Sequence, residues 1–193
     1  MEHRLIIAID IPEAVRVELR KIIKGDVEAN NELYANARMM DEESWHITLA
    51  FLGEKSKEHI ATIEQVLQEV TKATPAPEIV IRTVTTAPPQ RPPRMVWATT
   101  TTETNLALGP IKDAVIKGLA AHDIRQEGEV FPNYHGHITL ARLPEGRRIA
   151  NHIISLPNAL AFQPRTIDLM ESHLESSGAK YKTLKSIDFK PSV

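Results

Sequence analysis

The chain reads as an α+β fold, antiparallel sheet with helices on its outer faces. Three observations predict this class. Short runs rich in β-branched residues alternate with longer segments whose apolar residues recur every three or four positions. The order of these segments repeats in the second half. The last two strand-like runs, 167–173 and 181–189, are separated by a short polar stretch, which favours antiparallel pairing over a crossover.

Taken in order, residues 4–10 (RLIIAID) form a buried strand, and Pro12 suits the first turn of a helix with Val15, Leu19, Ile22 and Ile23 on one stripe. Residues 34–40 offer a further strand, and 45–52 a stronger one that ends at Gly53. Ser56 opens a helix that buries Ile60, Ile63, Val66, Leu67 and Val70, and Pro75 and Pro77 stop it. Residues 78–84 and 95–101 are strands around the proline-rich stretch 87–93. A helix over about 103–121, capped by Thr104 or Asn105, begins the second half. A loop with Gly128 and Pro132 then leads to a strand at 137–143, a short helix at 145–156 and the two final strands.

Composition narrows the function. Apolar residues make up 42% of the 193 and charged residues 25%, the balance of a soluble globular chain. No apolar run is long enough to span a bilayer and no secretory leader opens the chain, so a cytoplasmic protein without membrane contact is expected. The absence of cysteine excludes disulfide scaffolds, zinc ribbons and thiol nucleophiles. A net charge of −2 argues against a basic face gripping long nucleic acid, while leaving room for a site that handles one RNA end or one phosphate.

One pentapeptide, HITLA, occurs at 46–50 and again at 137–141, near half the chain length apart. Each copy sits in a strand that follows a helix and a loop, as an internal duplication would leave it, so 1–193 is read as a single domain of two pseudo-repeated lobes. Strict alternation places His46, Thr48 and Ala50 on one face and Ile47, Leu49 and Phe51 on the other; the second copy places His137, Thr139 and Ala141 together. Each lobe thus presents a histidine, a threonine and a small alanine, the layout of a groove floor. Two imidazoles across a phosphate suit acid–base work, one neutral and one charged near pH 7. Threonine hydroxyls add donors where charge develops on the phosphate oxygens. The scheme requires no metal and no cofactor. His135-Gly136-His137 has chelate spacing, but the motif offers no carboxylate beside it.

The extended motifs, HITLAFLG at 46–53 and HITLAR at 137–142, resemble those of the two-histidine (2H) phosphoesterases, specifically the RNA 2′,3′-cyclic phosphodiesterases also described as 2′-5′ RNA ligase-like. The opening RLIIAIDIP, the PPRMVWA strand and the closing LMESHLESSGAKYKTL extend the resemblance over nearly the whole chain. Gly136 stands where the family often has proline, and Trp45 where asparagine-leucine is usual. The resemblance implies two antiparallel sheets facing across a central cleft, and hydrolysis of RNA or nucleoside 2′,3′-cyclic phosphates to 2′-phosphates; separately, a monomer is expected. It implies His46 as acid and His137 as base, with Thr48, Thr139 and Arg142 binding substrate. The reverse reaction, 2′-5′ ligation, and a non-catalytic module that binds RNA ends are the alternatives. Arg142 poses a difficulty, because strict alternation puts it on the face opposite His137. Tyr134 and Phe131 are candidates for stacking on a base, Arg91 and Arg94 for a phosphate rim, and Trp45 and Trp97 for the core.

Overall fold

The computed structural model describes residues 2–89, 91–128, 133–145, 151–175 and 178–191. Its elements run β1 (Glu2–Asp10), α1 (Glu13–Ala29), α2 (Asn31–Tyr34), β2 (Arg38–Met39), a 3-10 turn (Glu42–Ser44), β3 (His46–Ser56), α3 (Lys57–Ala73), β4 (Ile79–Ala87), β5 (Met95–Thr100), α4 (Thr102–Ala120), β6 (His137–Arg142), β7 (Ile153–Phe162), β8 (Thr166–Glu175) and β9 (Gly178–Asp188). The strands form two antiparallel sheets, ordered β3-β1-β8-β9 and β2-β6-β5-β4-β7. The α+β class and the two-sheet architecture are as expected.

Burial explains the layering. On β1, Leu5, Ile7 and Ile9 are fully buried in the main core, where they meet Ile63 and Leu67 of α3. The same core takes Ile81, Val84, Val96, Ala98, Ile138 and Leu140 from the second sheet, with Leu108, Ile111 and Val115 of α4. The stripe on α1 buries Val15, Leu19 and Ile23 as its periodicity predicts. Gly118 of α4 lets that helix approach α3, since a Cβ there would lie 2.7 Å from Val66. The opposite face of the first sheet carries a smaller apolar set, Ile6, Ala8 and Met170, flanked by Phe51 and Tyr181.

Several boundaries move. The strand expected at 34–40 shrinks to two residues, because Tyr34 is taken into α2, where its hydroxyl bonds the buried Asp26. The helix cap is Thr101, whose Oγ1 accepts from the Thr104 amide. Thr104 and Asn105 are otherwise engaged: Thr104 Oγ1 accepts from Val80 N and Asn105 Oδ1 from Gly136 N. No helix spans 145–156. Residues 146–150 lie outside the described set, and Ile153 begins a strand paired to β4, with Thr85 opposite Ile153 and Thr83 opposite Ser155. The apolar residues there fit either period, and the edge of β4 decides for strand. Pro157 falls where the β4–β7 register jumps, a position that needs no ladder donor.

Gly53 does not end its strand. It sits at φ 71° beside an extra residue, Leu52, and β3 continues to Ser56. A Cβ at Gly53 would fall within 2.2 Å of all three carboxylate atoms of Glu127, in a segment whose amide bonds Phe51 O at 2.8 Å. Gly53→Ala is expected to lose about 1–2 kcal/mol, from the left-handed backbone and the displaced carboxylate, measured by denaturant unfolding.

Candidate active site

Both motif strands carry the same irregularity. Opposite β3, Ala8 pairs with Thr48 and Ile7 with Ala50, so Leu49 is an extra residue. Opposite β6, Trp97 pairs with Thr139 and Val96 with Ala141, so Leu140 is an extra residue. A bulge at the same leucine in each HITLA copy resets the alternation. Leu and Ala then both turn inward: Leu49, Ala50, Leu140 and Ala141 are all buried in the main core. Ala50 and Ala141 therefore do not line the groove floor, contrary to strict parity. The next residue returns to the histidine face. In the first copy that is Phe51, opposite Ile6; in the second it is Arg142, opposite Met95, two residues from Trp97 on β5. The bulge thus places Arg142 on the same face as His137 and Thr139.

The two histidines are held alike. His46 Nδ1 donates to the carbonyl of Ser44 at 2.8 Å, and His137 Nδ1 donates to that of His135 at 2.9 Å, in each case two residues upstream. A carbonyl only accepts, so each Nδ1 carries the hydrogen and each Nε2 is left as the reactive nitrogen. Thr48 Oγ1 lies 3.1 Å from His46 Nε2. Gly136 makes the second anchor possible: its amide donates to Asn105 Oδ1, its carbonyl accepts from Thr100, and a Cβ would lie 2.6 Å from Thr100 Oγ1. Proline at this position would lack the donor. Tyr134 is tied into the scaffold rather than free to stack on a base. Its hydroxyl donates to Thr48 O at 2.8 Å and so links the approach to β6 with β3. Phe131 lies outside the described residues.

The ring environments differ. Trp97 stacks flat on His137, with centroids 3.8 Å apart and planes at 19°. Tyr181 meets His46 edge-on, at 4.4 Å and 64°. Trp45 is buried in the core as expected, whereas Trp97 faces the site. An open cleft of about 980 Å³ reaches His46 but not His137, and Met39, Met40, Met170 and Tyr181 are among its walls. Arg16 pairs with Asp10 and Arg20 with Glu42 along it. Arg91 and Arg94 are exposed and do not line it. The two aromatic partners were not legible as site residues, since only the sheet register brings them to the histidines.

Burial disfavours the imidazolium in both rings. It pushes His46 down to about 4, with the Ser44 carbonyl opposing and the nearby His137 and Arg16 charges adding to the depression. It lowers His137 as well, opposed by the His135 carbonyl. The pair can thus accept and return protons, and its surroundings favour the neutral forms. Among the described residues, no group of three His, Asp or Glu could hold a metal ion. No helix among them is long and apolar enough to cross a membrane.

Comparison with known proteins follows the same lines. The sequence profile of the LigT-like phosphoesterases matches residues 9–97. An Archaeoglobus fulgidus protein named RNA 2′,3′-cyclic phosphodiesterase is 27% identical over 187 residues, covering 94% of this chain and 98% of its own. A solved structure from Thermus thermophilus has the same fold, with a TM-score of 0.78 and 22% identity over 96% of this chain and 97% of that one. Escherichia coli LigT complexed with ATP superposes with a TM-score of 0.75 at 22% identity, over 99% and 100% of the two chains. The same protein complexed with 3′-AMP gives 0.70 at 20%, over 98% and 99%.

The depressed histidines make stability depend on pH. Their folded values lie below the unfolded one near 6.5, so below that pH the unfolded chain binds more protons. Stability is expected to fall as pH drops below about 6.5, with His46 contributing about 1 kcal/mol per pH unit down to about 4 and His137 acting in the same direction. Denaturant unfolding across this range should show a shallower decline in His46→Gln.

Proposed function

The chain is related to the LigT-like phosphoesterases of the two-histidine superfamily, and on that premise we propose that it hydrolyses RNA or nucleoside 2′,3′-cyclic phosphates to 2′-phosphates. One observation carries the reading. Two matched, bulged strands each present a histidine with Nδ1 pinned to a carbonyl and Nε2 left reactive, and His137 lies near enough for its charge to depress His46.

In this reading His137 Nε2 takes a proton from water as its oxygen attacks phosphorus. The P–O3′ bond breaks, and His46 Nε2 delivers its proton to the leaving O3′. The products are a 2′-phosphate and a free 3′-hydroxyl, and the two rings return to their starting states by proton exchange with solvent. Thr48 and Thr139 bind the non-bridging oxygens, and Arg142 stands on the same face with a guanidinium for substrate. Two features support this direction. A ring face attracts a cation, so Trp97 flat against His137 favours the imidazolium that a base becomes. In-line attack puts the water opposite the leaving O3′, so the nucleoside lies on the acid's side, and the cleft opens beside His46. A strongly depressed His46 gives up its proton readily once a bound phosphate anion has helped to place it there. The common bulge also supports the reading of 1–193 as one domain of two repeats.

The deciding assay is hydrolysis of a nucleoside 2′,3′-cyclic phosphate with product identified by phosphorus NMR. His46→Ala and His137→Ala are each expected to lower kcat by about 10²–10⁴-fold, and chelator to leave the wild-type rate unchanged. Full activity in either variant overturns the two-histidine mechanism. The profile of kcat/KM against pH should be bell-shaped with its maximum below about 6.5, because burial lowers both histidines in the free protein. Activity then falls as the pH rises through neutrality and the acid loses its proton. A maximum well above neutrality would remove these two groups from the roles assigned.

A further inference from the structure

Arg38 and Arg142 stand directly opposite one another on the neighbouring strands β2 and β6. Like charges in such a cross-strand pair repel and cost stability unless an anion lies between or beyond them. Both side chains are exposed. Among the described residues neither has a carboxylate partner, whereas Arg16 and Arg20, which line the adjoining cleft, are each ion-paired. On a chain of net charge −2, this is a local concentration of unneutralised cation.

The register directs the pair toward the site. Arg142 pairs with Met95 and Thr139 with Trp97, so Arg142 follows Thr139 on the histidine face, and Arg38 continues that row onto β2. The Arg38 guanidinium then reaches across to the other sheet and lies against Gly178, where an added Cβ would come within 3.3 Å of Cζ. Gly178 is part of the wall of the cleft that holds His46. A side chain at this position would press on the guanidinium. The reactive phosphate already has two imidazoles and two hydroxyls, and the Arg38 guanidinium lies instead beside Gly178.

We propose that Arg38, with Arg142 beside it, forms a second phosphate subsite, which takes a backbone phosphodiester of the RNA strand leading to the cyclic end. The guanidinium fork matches two phosphate oxygens at once, a geometry that lysine does not reproduce. This subsite rests on the reaction proposed above and refines its substrate class: an oligonucleotide end is preferred to a mononucleotide, because only the former carries the second phosphate.

The test compares kcat/KM for a dinucleotide ending in a 2′,3′-cyclic phosphate with that for the mononucleoside 2′,3′-cyclic phosphate, in wild type, Arg38→Gln and Arg38→Lys. The preference for the dinucleotide is expected to fall about tenfold in Arg38→Gln, through KM, and to recover in part in Arg38→Lys. The slope of log KM against log salt for the dinucleotide should fall by about 0.7, one phosphate contact on a single strand. A preference that stays at the wild-type value in Arg38→Gln overturns the subsite. Binding keeps this separate from the reaction itself. If wild type hydrolyses neither substrate, the proposed reaction fails, and the subsite is still judged by the Kd of a fluorescent oligonucleotide ending in a 2′-phosphate. That Kd should be about tenfold weaker in Arg38→Gln, and equal affinities would reject the subsite.

Discussion

The site depends on one extra residue in each motif strand. A β-strand alternates its side chains, and on that rule alone histidine, threonine and alanine would share a face. Leu49 and Leu140 break the rule at the same point of the two HITLA copies. Each insertion lets leucine and alanine both enter the core, which the apolar interior rewards, and then returns the following residue to the histidine face. The two faces acquire the same histidine and threonine and then differ in the third member, Phe51 on one and Arg142 on the other. The two faces are thereby matched parts that end in unlike chemistry, apolar on the first sheet and cationic on the second.

That asymmetry continues around the imidazoles. Their backbone anchors are equivalent, and their ring contacts are not: a flat indole on His137, an edge-on phenol at His46. Burial lowers both rings, and the nearness of His137 and Arg16 lowers His46 further. The difference between the two rings comes from neighbours supplied by β5 and β9 rather than from the motifs. Tyr134 and the Glu127 amide bind the segment before β6 to Thr48 O and Phe51 O of β3, so the two motif strands are held to one another directly.

Local pattern carried the helices α1, α3 and α4 and most strands, because their apolar periods are long and unbroken. It failed at 153–156, the described end of the helix expected at 145–156, where a short apolar run fits both periods and the free edge of β4 settles the outcome. It failed again at the helix cap, since Thr104 and Asn105 look like caps in sequence, but their side chains serve Val80 and Gly136 from elsewhere in the fold. The glycine in place of proline at 136 was visible as a departure; its reason, a donor to Asn105 and a close approach to Thr100, was not.

By itself, the sequence determined the two motif strands, the pairing of His46 with Thr48 and His137 with Thr139, and the α+β arrangement of two sheets around them. These follow from residue type and spacing, which act over a few positions. Tertiary structure alone decided which way Arg142 points, which rings meet the histidines, and that Arg38 stands beside Arg142. Bulges arise from how two strands pair, and Trp97, Tyr181 and Arg38 reach the site through register with distant segments. A single strand holds no record of the register its neighbour will impose on it.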